Sequence, residues 1–462
     1  MTAHGLFVLD LNRCSGCAAC VVACKNENQV AEGLSWRRVH TFNRQRLATA
    51  PVFHLTLACN HCLEPACLHN CPANAYTKDP STGAVLIDQI FCIGCRYCAW
   101  VCPYEAPQYN SAIGVMEKCT FCDQRLTEDL PPACVTACPT DALRFDRDDG
   151  PPTVRHPGFP QTGLKPALRL VGERRQAAPD MTAAPIAVNV MSPRSQVDWS
   201  GFNSEWSLWF FTSVATLLVA WFAAATAWNR AIPAPVFAGT GILAMAVSAL
   251  HLGRITRIWR AVLNVRRSWV SREVVLFSTF FAAASASTLL PELPVPARWM
   301  IAAVGFATLY AMDMVYRVRG QPVLTVPHSA MAMLTVAFYA GILTTNPVLL
   351  WPAATVKLVL YLARRERPVP GGAALGPFRI GIGLFPAFAL AATGTVPIAV
   401  AMIGAVIGEL IDRAEFYAGL RFLTPTHQID MDLMRQQNDI DLGLRLAPPT
   451  LPGGCPPEIP NS

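Results

Sequence analysis

Charged residues are scarce in this chain of 462 residues. Asp, Glu, Lys and Arg make up 15% of it, whereas hydrophobic residues make up 52%. Soluble domains usually carry about 25% charge, so this composition favours a protein with a membrane-embedded part. The positive net charge comes from residues 151–462, where arginines alternate with apolar segments instead of forming one basic face. We therefore expect no nucleic-acid partner.

Several motifs of substrate-binding enzymes are also absent. The sequence contains no dinucleotide-binding fingerprint after a strand, no phosphate-binding loop and no nucleophile elbow. The first residues have no basic segment, and Asp10 interrupts their only apolar stretch, so we expect no secretory signal. These absences predict that another polypeptide binds the substrate.

Cysteine is nearly absent after residue 138, where only Cys455 occurs, yet sixteen of the 17 cysteines lie between Cys14 and Cys138. Without an export signal, closely spaced cysteines are more often metal ligands than disulfide partners. They form four groups of four: Cys14, Cys17, Cys20, Cys24; Cys59, Cys62, Cys67, Cys71; Cys92, Cys95, Cys98, Cys102; and Cys119, Cys122, Cys134, Cys138.

The spacing within the groups predicts iron–sulfur clusters. The first and third groups match C-x2-C-x2-C-x3-C, in which the fourth cysteine binds a second cluster. We expect groups one and four to exchange their fourth ligands, and groups two and three likewise. Four 4Fe-4S clusters result, held by Cys14, Cys17, Cys20 and Cys138; by Cys119, Cys122, Cys134 and Cys24; by Cys59, Cys62, Cys67 and Cys102; and by Cys92, Cys95, Cys98 and Cys71. The alternative is a set of zinc sites, which seldom use such triplets.

Differences in local composition divide the chain into four parts. Residues 1–145 are short segments punctuated by Pro and Cys, which predicts an α+β ferredoxin-like domain organised by its four clusters. Residues 146–203 are rich in Pro and predict an extended linker. Residues 204–420 predict a membrane anchor, and residues 421–462 a polar C-terminal tail.

Apolar runs of about 17 to 23 residues dominate the anchor, the length that a helix needs to cross a bilayer. They predict an all-α bundle of eight transmembrane helices. The runs are Trp206–Trp228, Pro235–Gly253, Val274–Leu290, Trp299–Tyr316, Ser329–Asn346, Val348–Ala363, Ile380–Thr395 and Pro397–Asp412.

Arginine is distributed unequally between the two sides of this bundle. Fourteen arginines, including Arg254, Arg257 and Arg260, lie on the side of the chain ends, and only Arg230 and Arg298 lie opposite. The positive-inside rule then predicts a multi-pass protein of the bacterial inner membrane with its cluster domain in the cytoplasm. An arginine that docks a domain or binds a ligand carries no information about the direction of membrane insertion.

Ionisable residues near the helix ends are candidates for a quinone site, because quinone needs hydrogen-bond partners and a proton donor or acceptor. His251, Glu273, Asp313, His328, Glu409 and Asp412 lie on the side of the cysteine domain. For Asp313 and Asp412 we favour a helix cap or an ion pair with Arg. Two histidines could also ligate a b-type haem, and Lys357 is expected to snorkel or pair with an acid.

At this point the motifs resemble a known family. CIGCRYC and VCPYEAPQYN are similar to the electron-transfer subunit of dimethyl sulfoxide reductase-type molybdoenzymes. The anchor subunit of that family is similar to HLGRITR (251–257), SWVSREV (268–274), TVPHS (325–329) and GELIDRAEFYAG (408–419). Because the family has these as separate polypeptides, the chain resembles a fusion of the two.

The resemblance implies a partner subunit that carries the molybdenum bis-pterin guanine dinucleotide cofactor and docks near the cluster of Cys14, Cys17, Cys20 and Cys138. It implies that the cluster of Cys92, Cys95, Cys98 and Cys71 lies nearest the membrane. It also implies that His251, Arg257 and Glu273 form the quinol site. Nitrate reductase-like relatives have Trp in place of the second cysteine of the third group, where Cys95 stands here.

One departure keeps the substrate open. The dimethyl sulfoxide reductase of the family faces the periplasm, whereas the arginines here predict a cytoplasmic cluster domain. Cytoplasm-facing relatives oxidise sulfite, so a sulfite dehydrogenase subunit is the main alternative. A zinc-binding membrane scaffold and a transporter with a metal domain are more remote alternatives, and we find no inverted repeat of the kind that transporters carry.

Overall fold

The computed structural model describes residues 4–43, 52–148, 163–172, 200–290, 293–317, 327–365, 376–418, 424, 425 and 429. Most of the predicted linker and tail, including Cys455, lie outside these residues. The described part comprises a cysteine-rich region up to residue 172 and a helical region from residue 200.

A three-stranded sheet closes the cysteine-rich region by joining its two ends. Strand β1 (His4–Asp10) lies in the middle, between β8 (Leu143–Asp148), which is antiparallel to it, and β9 (Leu168–Val171), which is parallel. The central strand is buried from Gly5 to Leu9 because its apolar side chains are covered on both faces. Strand β9 falls within the stretch predicted as a linker, so residues 163–172 belong to the folded cysteine-rich region.

Three hairpins and five short helices carry the rest of this region, which agrees with the predicted α+β class. The hairpins are β2 (Arg38–Phe42) with β3 (Phe53–Leu57), β4 (Tyr76–Lys78) with β5 (Val85–Ile87), and β6 (Gln108–Asn110) with β7 (Val115–Glu117). The helices are α1 (Ala19–Glu27), α2 (Ala66–Asn70), α3 (Tyr97–Val101), α4 (Asp123–Leu126) and α5 (Ala133–Thr136). Four of these helices, all but α4, contain cysteines, so the local structure follows the cysteine groups.

The second region is mostly helical. Its long helices are α6 (Ser200–Ala227), α7 (Ala234–Ala249), α8 (Trp269–Leu289), α9 (Val295–Val315), α10 (Ala332–Thr344), α11 (Pro347–Arg365), α12 (Gly376–Thr393) and α13 (Ile398–Ala418). A 3-10 helix, Ile255–Val262, lies between α7 and α8. Helix α12 includes a π-helical turn at Arg379–Leu384.

Three of these helices contain segments long and apolar enough to cross a membrane: Trp206–Ala227, Val295–Val315 and Gly376–Thr393. Three shorter apolar segments, Ala234–Ala249, Ala332–Thr344 and Pro347–Ala363, accompany them. Large apolar side chains cover their outer surface, such as Met300 at 71% exposure and Val348 at 81%. An apolar exterior of this size is typical of a surface that contacts lipid.

The helices pack closely around α6, which contacts α7, α9, α10 and α13. Small residues permit this packing. A side chain at Gly408 would come within 2.5 Å of the Cα atom of Gly383 on α12, so these two helices touch along their backbones.

Candidate functional site

The structure brings together the cysteines that the spacing assigned to each cluster, including the exchanged fourth ligands. Cys14, Cys17, Cys20 and Cys138 line one cavity. Cys59, Cys62, Cys67 and Cys102 line another. In each case the last cysteine comes from a different group, as the ferredoxin-like exchange requires.

The other two sets also converge. The Asn28 side-chain amide lies 3.9 Å from the Cys24 sulfur and 3.6 Å from the Cys122 sulfur. Burial raises the pKa of the Cys24 thiol to about 12, and the neighbouring Cys134 and Cys122 thiols add to that rise. Burial likewise raises the pKa of the Cys95 thiol to about 12, with Cys71 and Cys92 contributing. Such thiols lose their protons readily only beside a strong positive centre, such as iron.

The loops that present the first and third groups share a backbone conformation. Gly16 and Gly94, between the first two cysteines of each loop, have φ values of +73° and +71°. Ala18 and Arg96, after the second cysteine, are also left-handed and begin α1 and α3. The chain therefore wraps around each cavity before entering a helix, a turn that glycine makes at the least cost.

Backbone amides point at several of the sulfur atoms. The amides of Gly94 and Met116 lie 3.4 and 3.5 Å from the Cys92 sulfur, and that of Ala75 lies 3.4 Å from the Cys71 sulfur. Hydrogen bonds of this kind stabilise thiolate ligands and tune the potential of the cluster that they hold.

Buried donors beside the cavities fit anionic clusters. His61 is 1% exposed, and its Nδ1 accepts the Val85 amide at 2.9 Å, which leaves the proton on Nε2. Burial and the nearby Lys118 charge hold the pKa of His61 well below its usual range. Within the described residues Nε2 has no hydrogen-bond partner, and the side chain lines the Cys59 cavity. A sulfur acceptor in the cavity would satisfy it.

The spacing within the sets favours clusters over zinc. Among the residues that the structure describes, no three His, Cys, Asp or Glu side chains are arranged to hold a single metal ion. A tetrahedral zinc site would draw four sulfurs to about 2.3 Å from one point. Instead, the thiols of two sets line separate hollows, and the sixteen described cysteines are all free of disulfides.

The helical region docks on the cysteine-rich region through the segment that follows α7. Arg254 Nε donates to the Ile113 carbonyl at 2.8 Å, and Arg260 donates to the Ile90 carbonyl. Farther along, Asn264 donates to the Cys71 carbonyl at 2.9 Å. Arg257 also bonds to this surface. Three of the arginines that were counted as indicators of membrane topology therefore belong to the interface between the two regions.

Arg257 lies beside the predicted quinol site rather than in the wall of the cavity. The resemblance placed it in the quinol site with His251 and Glu273. In the structure its Nη1 donates to the carbonyls of Gln89 at 2.8 Å and Cys92 at 3.0 Å, and it does not line the cavity described next. Its guanidinium is directed at the cluster loop because the 3-10 helix turns this face toward those carbonyls.

An apolar cavity of about 230 Å³ lies at the same interface. His251, just after α7, and Glu273, in the first turns of α8, both line it. Cys95 of the third group also lines it, and most of the remaining wall is aliphatic or aromatic. A large apolar cavity with a few polar groups is typical of a site for a small hydrophobic ligand.

His251 has a defined tautomer when neutral. Its Nδ1 bonds to the Ser248 carbonyl, which can only accept a hydrogen bond. Nδ1 therefore carries the proton, and Nε2 is left to accept a hydrogen bond. The site thus pairs an imidazole with the carboxyl group of Glu273.

Sequence reasoning missed several residues of this wall. Tyr97 and Trp100 come from the cysteine-rich region, and Tyr316 follows α9. The Tyr97 hydroxyl donates to the Val315 carbonyl at 2.6 Å, and the Tyr316 hydroxyl bonds to that of Tyr417. Tyr97 lies within the quoted motif CIGCRYC, but no local signal shows that it reaches a helix 218 residues away.

The other ionisable candidates lie outside this cavity, in a buried network between helices. Lys357 Nζ lies 2.7 Å from a Glu409 carboxylate oxygen, and Arg413 Nε lies 2.9 Å from the other oxygen. The pairing expected for Lys357 is confirmed. Buried charges of this kind are tolerated in a membrane region only when they are paired.

Asp412 and Asp313 have the structural roles that we favoured. Asp412 pairs with Arg379 and accepts the Ser329 hydroxyl at 2.8 Å. Asp313 accepts the backbone amides of Ala332 and Met333, so it caps α10. His328 stacks on Phe416 with ring centroids 4.1 Å apart and does not line the cavity.

Comparisons with known proteins agree with this division. The family described as a 4Fe-4S dicluster domain matches residues 51–148, and the DMSO reductase anchor subunit (DmsC) family matches residues 201–363. The chain is thus an iron–sulfur electron-transfer protein that carries its own membrane anchor.

Among its relatives is a chain of the anaerobic dimethyl sulfoxide reductase of Escherichia coli, 40% identical over 153 residues, which are 31% of this chain and 74% of the relative. A sulfite dehydrogenase subunit of Allochromatium vinosum is 36% identical over 198 residues, 36% of this chain and 82% of the relative. The chain belongs to the family of dimethyl sulfoxide reductase-type iron–sulfur subunits, and the predicted fusion with the anchor is confirmed.

Proposed function

We propose that this chain relays electrons between a molybdopterin-containing catalytic subunit and membrane quinone or quinol through four 4Fe-4S clusters. The observation that carries the proposal is the apolar cavity of about 230 Å³ whose wall includes Cys95, His251 and Glu273. It puts a hydrophobic site with proton-exchanging groups directly beside a cysteine of the third group.

The sixteen cysteines are the proposed iron ligands, in the four sets that the spacing predicts. A bound 4Fe-4S cluster takes up and passes on one electron at a time. The protein supplies thiolates and amide donors that hold the cluster and adjust its potential. Several clusters in one small domain permit short electron transfers across it, which no single cluster could provide.

The residues of the cavity are proposed to exchange the protons of the quinone reaction. Reduction of a quinone consumes two electrons and two protons, and oxidation of the quinol releases them. His251 Nε2 is suited to a hydrogen bond with one quinone oxygen. The Glu273 carboxyl group is suited to gain or lose a proton as the electrons pass, because carboxyl and imidazole groups titrate near neutral pH in suitable surroundings.

The anchor is proposed to cross the bacterial inner membrane with eight helices, α6 to α13. Alternating helix directions then put the cluster domain on the arginine-rich side, at the end where α7 ends and α8 begins. When Arg254, Arg257 and Arg260 are left out as docking residues, eleven arginines remain on that side of the membrane, compared with two on the opposite side. That excess supports a cytoplasmic cluster domain.

The partner is proposed to dock near the cluster of Cys14, Cys17, Cys20 and Cys138, because Cys17 is exposed. Its terminal substrate has two candidates. Dimethyl sulfoxide reductase-type chemistry follows from the family. Sulfite oxidation is favoured by the arginine distribution and by the similarity to a sulfite dehydrogenase subunit.

Low-temperature EPR on the membrane-bound protein, poised at graded potentials, tests the relay. Wild type should contain about 16 iron and about 16 sulfide per chain and show four interacting 4Fe-4S signals. Cys95→Ser should alter one signal, and a quinol analogue should shift that same signal in wild type. Cys455→Ser, outside the four groups, is the matched control. Spectra without such signals, in a protein that contains zinc, would contradict the proposal.

A further inference from the structure

Arg37 is the largest fully buried side chain of the cysteine-rich region. It directly precedes β2 and is only 2% exposed. Its Cζ atom lies 4.4 Å from the centre of the Phe7 ring, and Nη1 donates to the Thr56 hydroxyl at 3.3 Å. The next residue, Arg38, has instead a half-exposed side chain that meets the Glu105 carboxylate at 3.7 Å.

The Arg37 guanidinium is only partly hydrogen-bonded for a buried positive charge. Within the described part of the chain, its Nε and Nη2 atoms have no hydrogen-bond partner. The groups that act on it most strongly are the thiols of Cys134, Cys119, Cys20 and Cys24. Since an unpaired buried charge is costly, the native protein must supply an anion at this place.

The thiols around Arg37 belong to two different cluster sets. Cys20 is in the set with Cys14, Cys17 and Cys138, and its sulfur lies 3.5 Å from the Thr56 hydroxyl that Arg37 also contacts. Cys134 is in the set with Cys24, Cys119 and Cys122, and it interacts directly with the guanidinium. Arg37 therefore lies between the two sets formed by exchange between the first and fourth groups.

We infer that Arg37 is the shared counter-charge of these two clusters and raises the reduction potential of both. The inference rests on the proposed cluster binding. A 4Fe-4S cluster with four thiolates is anionic, and its charge becomes more negative by one when it takes up an electron. A fixed positive charge beside it stabilises the reduced form more than the oxidised form, so reduction becomes easier.

Arg37 is thus a positioning residue that acts through the clusters on the outer part of the electron path. It forms no covalent bond with the clusters and takes up no electron. Arg37 also acts electrostatically on His61, which lines the cavity of the Cys59 set, so the potential of that inner cluster should shift less than those of the outer two. The Cys92 set has no comparable contact with Arg37 among the described residues.

The test is a redox titration followed by EPR on the full chain, after iron and sulfide have been measured. Arg37→Gln should shift two of the four midpoint potentials downward, by about tenfold in the equilibrium constant, which is about 59 mV for one electron. Arg37→Lys keeps the charge and should restore most of the shift. Arg38→Gln removes the neighbouring exposed charge and should leave all four potentials unchanged.

The outcomes separate this inference from the cluster proposal. Wild type without iron would overturn both. Variants with full iron content and four unchanged potentials would overturn the role of Arg37 alone. Should Arg37→Gln fail to accumulate, Arg37→His gives the same measurement. At alkaline pH the imidazole of this variant is neutral. If two of its midpoint potentials then lie below those of wild type, the inference is supported. If all four equal the wild-type values, the inference is overturned.

Discussion

Arg257 donates a hydrogen bond of 3.0 Å to the carbonyl oxygen of Cys92, so the anchor holds the loop that begins the third cysteine group. A second bond, of 2.8 Å, reaches the Gln89 carbonyl. The side chain joins the two halves of the chain beside the proposed quinone site without lining that cavity.

This contact predicts the effect of Arg257→Gln. The loss of two charge-assisted hydrogen bonds, together worth about 3 kcal/mol, should loosen the loop from residue 89 to residue 93. Hydrogen exchange at those amides should become faster, as mass spectrometry can measure. Arg267→Gln, which removes an exposed arginine from the same connection, is the control. Unchanged exchange together with lost binding of a quinol analogue would instead favour direct contact with the ligand.

Glu273→Gln tests proton exchange in the cavity. The amide has nearly the same shape but cannot carry the proton, so quinol-linked turnover should fall by about 100-fold. Cluster content and electron transfer from an artificial dye should be retained, because neither uses the cavity. His251→Ala should behave in the same way.

The matched control for these variants is Thr279→Ala, an exposed position of α8 whose hydroxyl bonds only within its own helix. Equal losses of quinol-linked and dye-linked turnover would show that the substitutions act on the fold. Loss of the protein from the membrane would lead to the same conclusion.

Gly253→Ala should separate the anchor from the cluster domain. A Cβ atom there would lie 2.1 Å from the Gly114 carbonyl oxygen and 2.7 Å from the Tyr109 hydroxyl. We expect quinol-linked turnover to fall while iron content stays unchanged. Gly239→Ala is the control, because a Cβ atom at that residue meets nothing within 4 Å. Equal activity of the two variants would contradict the close contact.

Lys357→Met should destabilise the helical region. It would leave Glu409 buried with one cationic partner instead of two, and breaking a buried pair typically costs about 3 to 5 kcal/mol. Thermal unfolding in detergent should show a lower transition temperature. The double variant Lys357→Met with Glu409→Gln should recover part of the loss, because no unpaired charge remains. Additive losses would mean that the two side chains act independently.

Much of the cysteine arrangement could be predicted from local spacing. The exchange of Cys138 and Cys102 between groups follows from a short repeated motif, and the cavities lined by each set agree with it. Strand β9 could not be predicted in this way. Its pairing with β1 joins Leu168 to Phe7, and the Pro-rich sequence around it favours a linker. Long-range pairing with an already buried strand outweighed that local preference.

The ionisable residues show the same division. Their position near helix ends marked His251, Glu273 and Glu409 as candidates for a quinone site, whereas Lys357 was expected only to snorkel or pair with an acid. Packing of the helices decided that two of them line a cavity and two neutralise each other. Arg257 was assigned by resemblance, and the turn of the 3-10 helix decided its partners.

The sequence alone determined that the chain joins an iron–sulfur domain to a hydrophobic anchor, because cysteine spacing and the length of apolar runs are local properties. Only the tertiary structure decided where the two halves meet. The cavity needs Tyr97, His251, Glu273 and Tyr316 in one place. Contacts between residues so far apart in the sequence depend on how the cysteine-rich region docks on the helices. No local pattern of residues encodes that docking.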